Sequence, residues 1–83
     1  MTYNEFHNLV AMVRDLLNYR LMGNDRFLRT EYRRYGETCA EIIAWSTEGE
    51  TEFARIGWGV TVSDKLSISY ILEKIDETVS HFD

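Results

Sequence analysis

The sequence predicts an α+β fold in the order helix, strand, strand, strand, helix, with a three-stranded antiparallel sheet covered on one face by two helices. Three observations predict it. Apolar residues recur at steps of three and four near both ends of the chain, β-branched and aromatic residues fill the middle, and no proline interrupts either pattern. With 83 residues, 45% of them apolar and 28% charged, the chain is one domain spanning 1–83, too apolar for a disordered tail. A domain of this size buries only about 60 to 65% of its unfolded surface, so its core is thin.

The first helix begins at Thr2, because Thr2 and Glu5 have capping-box spacing. The hydroxyl takes the amide of the third helical residue and the carboxylate returns to the cap's own amide. Phe6, Leu9, Val10, Val13, Leu16, Leu17 and Leu21 fall within an arc of about 140° at 100° per residue, which reads as a core stripe over residues 3–22. Gly23 and Asn24 supply a left-handed terminator.

Residues 26–35 read either as a strand turning at Gly36-Glu37 or as a helix with Phe27, Leu28, Glu31, Tyr32 and Tyr35 on one face. The strand is favoured, since a lone hairpin is marginal and a third strand broadens the platform under the helices. Residues 38–46 and 51–61 form the next two strands, joined by Thr47-Glu48-Gly49-Glu50. On the last strand Ala54, Ile56, Trp58 and Val60 point one way and Phe53, Arg55, Gly57 and Gly59 the other. Ile42 and Ile43 are adjacent and point to opposite faces, so one of them should sit near the outer surface of the sheet or under a loop. Ser63 and Asp64 open the C-terminal helix, whose core stripe is Ile68, Ile71, Leu72, Ile75, Val79 and Phe82 with Glu73, Asp76, Glu77 and Ser80 opposite.

Catalytic and metal chemistry find little support in these residues. Cys39, His7 and His81 lack the paired spacing of metal ligands, so no metal and no cofactor is expected. Cys39 on a strand reads as an inert small hydrophobe rather than a nucleophile. Glu73, Asp76 and Glu77 are close enough to shift one another's protonation, but they project to water, and so small a core leaves little room for a substrate pocket. Gly57-Trp58-Gly59 has neither the spacing nor the lysine of a phosphate loop. The expectation is a protein that is not an enzyme and has no small-molecule substrate. The lone cysteine, and the absence of any apolar run near the roughly 20 residues that span a bilayer, read as a cytoplasmic, reducing setting with no membrane partner.

Charge is the informative feature. The net charge is −5; residues 1–34 carry six arginines against four acids, a balance of +2, whereas residues 35–83 carry ten acids against three bases, a balance of −7. Two binding surfaces follow. Glu48, Glu50 and Glu52 at the hairpin tip and Glu73, Asp76 and Glu77 on the last helix form an acidic display that a basic, nucleic-acid-binding groove of a partner protein would accept. Alternatively Arg26, Arg29, Tyr32, Arg33, Arg34 and Tyr35 pair with phosphates and stack on bases, as in a small nucleic-acid-binding regulator, although the overall acidity opposes a polyanion. The bland reading of each is a solvated face, with arginine stems covering aromatic surface. Exposed aromatics could also form a homodimer interface.

Small size, acidity, the absence of disulfides and the absence of catalytic motifs give a profile that resembles the small single-domain proteins bacteriophages make to inhibit host machinery, including anti-CRISPR proteins and inhibitors of host nucleotide enzymes. That resemblance implies a stoichiometric inhibitor that blocks or mimics a nucleic-acid surface of its host target.

Overall fold

A computed structural model describes residues 2–37, 39–57 and 68–83. Helix α1 (Tyr3–Leu21) is followed by strands β1 (Phe27–Arg34), β2 (Cys39–Ser46) and β3 (Gly49–Gly57), and the chain ends in helix α2 (Ile68–Ser80). The strands form one antiparallel sheet in the order β1-β2-β3. The expected α+β architecture is therefore the observed one. Expectations for Thr38, Trp58, Gly59, Val60, Thr61, Ser63 and Asp64 lie outside the described residues.

The capping box forms as the spacing requires: the Glu5 amide donates to Thr2 Oγ1 at 3.1 Å, and the Thr2 amide donates to Glu5 Oε1 at 3.4 Å. The helix stops at Leu21, and Gly23 takes φ 88°, a left-handed conformation that glycine adopts without the Cβ clash other residues suffer.

One face of the sheet carries the core. Phe6, Val10, Val13, Leu17 and Leu21 of α1 and Ile71 and Ile75 of α2 meet Ala40, Ile42 and Ala44 of β2 and Phe53, Ala54 and Ile56 of β3. Phe82 packs edge-on against Phe27 with ring centroids 5.8 Å apart, and the Asn24 side chain donates to the Phe82 carbonyl at 3.2 Å. Together with the Arg20–Asp76 ion pair at 3.0 Å, these contacts show that the two helices run in the same direction across the sheet.

Three expectations are corrected. Phe53 is buried rather than sharing the outer side with Arg55, because the β2–β3 register shifts between Ile42 and Ile43: Ile42 pairs with Ala54 and Ile43 with Glu52, leaving Phe53 as the extra residue of a bulge. Phe53 and Ala54 thereby both join the core. The hairpin loop is shorter than the four residues expected. Ser46 pairs with Gly49 across Thr47-Glu48, and the Ser46 hydroxyl both donates to the Gly49 carbonyl at 2.6 Å and accepts from the Glu48 amide at 3.2 Å. Glu50 and Glu52 accordingly belong to β3 rather than to the hairpin tip. Finally, the predicted helical stripes are only partly core: Leu16 is 41%, Leu72 44% and Ile68 77% exposed. A sheet and one neighbouring helix cover less than the 140° arc of α1, so the residues at its edge stay at the surface.

Ile43 is the member of the isoleucine pair on the face away from the helices, and at 1% exposure it is nonetheless fully buried there, between Glu31 of β1 and Glu52 of β3. Among the described residues no helix is long and apolar enough to cross a membrane.

Candidate docking faces

Strand alternation divides the arginine-aromatic segment between the two faces of the sheet. Arg29, Glu31 and Arg33 pair with Trp45, Ile43 and Glu41, and so lie with Tyr35 on the face turned from the helices. Thr30, Tyr32 and Arg34 alternate to the helix side. There the Thr30 hydroxyl donates to Asn18 Oδ1 at 2.9 Å, and the Tyr32 hydroxyl is hydrogen-bonded to His7 Nδ1. His7 also reaches the Glu37 carbonyl through Nε2 at 3.2 Å, so this histidine ties α1 to β1 and the following turn. Arg26 precedes β1 and approaches Glu48 at 3.7 Å. Arg34 Nε donates to the Gly36 carbonyl at 3.0 Å. The six residues singled out in the sequence do not form one surface.

Away from the helices, the sheet carries an interlocked set of opposite charges. Glu31 Oε2 accepts from Arg33 Nε at 3.1 Å and from Trp45 Nε1 at 3.2 Å, while the Arg29 guanidinium lies 4.8 Å from the centre of the Trp45 ring. Glu41 is 4% exposed; its Oε2 accepts from the Tyr35 hydroxyl at 2.7 Å and its Oε1 lies 3.6 Å from Arg55. Hydrogen bonding by Tyr35 and the charges of Arg55 and Arg33 hold the Glu41 carboxyl below its ordinary range against the opposing effect of burial. The same bond raises the Tyr35 hydroxyl, since its proton is held by a carboxylate. Each arginine of this face already has a carboxylate or an indole as its partner. Tyr35, Cys39 and Arg55 border a shallow cleft of about 350 Å³ beside Glu41. Among the described residues no group of three or more metal-ligating side chains comes together.

The acidic display is divided as well. Glu50 and Glu52 pair in register with Trp45 and Ile43, which puts them among the arginines of the sheet face, and Glu48 is at the turn beside Arg26. Glu73, Asp76 and Glu77 belong to the helix layer on the opposite side of the molecule. Within that layer Asp76 pairs with Arg20 at 3.0 Å and Glu77 with Lys74 at 3.2 Å. Both pairs are largely solvent-exposed and worth little to folding.

Beside Asp76 the helix layer holds the feature the sequence reading missed. The exposed members of the predicted core stripes converge on a cleft of about 370 Å³ between α1 and α2, walled by Leu9, Met12 and Leu16 on one side and Ile68, Ile71 and Leu72 on the other. Met12 is 66% exposed, and Tyr19, further along the same side of α1, 70%. Asp15 lines the cleft, and Asp76 and Glu73 follow Leu72 on α2. The signal was legible in principle: Met12, Leu16 and Tyr19 sit at i, i+4 and i+7, a second apolar strip about 100° from the core stripe.

Comparison with known proteins finds no matching family model, no matching curated protein and no matching solved structure. The functional reading therefore rests on the geometry of these faces.

Proposed function

We propose that this chain is a non-catalytic, stoichiometric protein binder of the inhibitor type that docks a basic partner surface through the outer side of its helix layer. The observation that carries the reading is the apolar cleft between α1 and α2, lined at one edge by Asp15, with Asp76 one turn after Leu72. Scattered apolar side chains are normal on a protein surface; a contiguous apolar strip is the pattern of an interaction site. Carboxylates at the rim favour a cationic partner, speed encounter and reject acidic competitors. A groove that the partner uses for nucleic acid has the required charge, and its occupation would inhibit by competition.

The hairpin carboxylates support this less well, because Glu48 adjoins Arg26 while Glu50 and Glu52 share their face with Arg29, Arg33 and Arg55. Nucleic-acid binding through residues 26–35 is weakened by similar pairing, since Arg26 and Arg33 face Glu48 and Glu31, Arg29 the Trp45 ring and Arg34 the Gly36 carbonyl.

The test is charge reversal on each side of the molecule. Partner capture from host lysate at low salt should be lost when Glu73, Asp76 and Glu77 are all changed to Lys, and largely kept when Glu48, Glu50 and Glu52 are, with thermal stability nearly unchanged in both. The opposite ranking would move the interface to the sheet, and undiminished capture by both variants would refute an electrostatic interface.

A further inference from the structure

The two outer strands of the sheet differ in how their free edges are finished. β3 carries its bulge at Phe53, in mid-strand, which breaks that edge into short runs. The irregularity of β1 lies at its start, between Phe27 and Arg29, so residues 29–34 form a regular run without proline. The Tyr35 amide donates to the Cys39 carbonyl and the Thr47 amide to the Arg26 carbonyl, both at 2.9 Å, which fixes the phase of the ladder. Arg29, Glu31 and Arg33 therefore bond to β2, while the amides and carbonyls of Thr30, Tyr32 and Arg34 point outward. None of those outward groups has a partner among the described residues. The helix layer leaves this edge open. Thr30 and Tyr32 reach Asn18 and His7, which lie on a flank of α1 about 90° from its core stripe, so β1 runs outboard of the helix, and none of its residues is buried.

We infer that a second copy of this chain pairs with the β1 edge, antiparallel and two-fold symmetric about Tyr32, to make one continuous sheet; the inference is independent of the protein-binding reading above. Outward residues must meet outward residues, so the two-fold axis passes through a residue of β1 rather than between two. An axis at Glu31 sets Glu31 against its own copy and Arg29 against Arg33, and an axis at Arg33 sets Arg33 against itself; like charges directly opposite are unfavourable. An axis at Thr30 runs into the irregular start of the strand and sets Arg34 against Arg26. At Tyr32, Thr30 pairs with Arg34 of the second copy, every outward group of the run is satisfied, and Glu31 lies opposite Arg33 on both sides of the axis. The Glu31 carboxylate has room for that contact: Arg33 Nε and Trp45 Nε1 of its own chain both donate to Oε2, which leaves Oε1 for the second copy's Arg33. The run from Arg29 to Arg33 is thus its own complement, whereas an unrelated strand would have to bring the matching alternation of acid and base. Residues paired directly across strands share a face, so both helix layers lie on the same side of the joined sheet.

Sedimentation equilibrium of the full chain at rising concentration should show a monomer–dimer equilibrium. Amide exchange followed by NMR reads the register: Thr30, Tyr32 and Arg34 should exchange fast in dilute protein and slowly as the dimer fills, while Arg29, Glu31 and Arg33 are protected throughout. Glu31→Arg and Arg33→Glu each set like charges opposite one another and should each weaken association about tenfold or more. An equimolar mixture of the two variants restores opposite charges at both positions and should form a mixed dimer about as tight as the parent, a recovery that also shows both variant chains to be folded. A monomer at every concentration, a dimer whose Thr30, Tyr32 and Arg34 amides still exchange fast, or variants that fail to recover on mixing while keeping the parent's melting temperature overturn the inference. So does a dimer that Met12→Ser with Ile68→Ser dissociates and the charge variants leave intact, which would put the contact in the helix-layer cleft.

Discussion

The Tyr35 hydroxyl donates to Glu41 Oε2 at 2.7 Å, closing the turn between β1 and β2 over a carboxylate that is only 4% exposed at the centre of the sheet. Burial alone would push Glu41 toward its neutral form; Tyr35, with Arg55 and Arg33 nearby, reverses that tendency. Stability and charge on this face are thus coupled.

A pH dependence follows. The folded-state pKa of Glu41 is depressed, so its stabilisation is present above the unfolded carboxylate value and is lost as pH falls through the folded one. Tyr35→Phe removes the largest cause of the depression. Thermal melts should show the variant below the parent at pH 7, with the gap closing as pH drops through the carboxylate range. A gap independent of pH would mean that the bond does not act through Glu41 ionisation.

The bulge makes a second claim. Phe53 occupies core space that regular alternation would have given to the outer face, and it is 6% exposed. Phe53→Ala should cost about 3 to 5 kcal/mol in chemical denaturation, comparable with the roughly 2 to 5 expected for Ile75→Ala, whereas Arg55→Ala should cost far less. A loss below about 1 kcal/mol at Phe53 would place its ring at the surface.

Nucleic-acid binding should be weak. Arg29, Arg33 and Arg55 face Trp45, Glu31 and Glu41, and the molecule as a whole carries −5. Titration with single-stranded and duplex nucleic acid near physiological salt should give no submicromolar affinity. Tight, steeply salt-dependent binding that is lost in Arg33→Ala with Arg34→Ala would promote the regulator reading.

Element order, the capping box and the glycine terminator were legible in the sequence because each is written in residues a few positions apart. The bulge at Phe53 was not. Alternation along β3 is a local pattern, but where it breaks depends on which residue of β2 lies opposite. The site was harder for the same reason. Leu16, Ile68 and Leu72 satisfy helical periodicity as well as any core residue, and only the placement of α2 beside α1 decides which apolar positions are covered and which wall the cleft. Likewise the segment 26–35 looks like one basic patch in sequence, and the two-residue period of a strand splits it.

The central claim is that the helix layer, with its apolar cleft, is the surface a protein partner covers. Hydroxyl-radical footprinting of the chain, free and bound to the partner it captures, tests this most directly, because Met12, Leu16, Ile68 and Leu72 are exposed and oxidisable in the free protein while Tyr35 and Trp45 report on the opposite face. Protection of the first four on binding, with Tyr35 and Trp45 unchanged, is the result predicted; protection of Tyr35 and Trp45 with Met12 and Ile68 still fully reactive would contradict it.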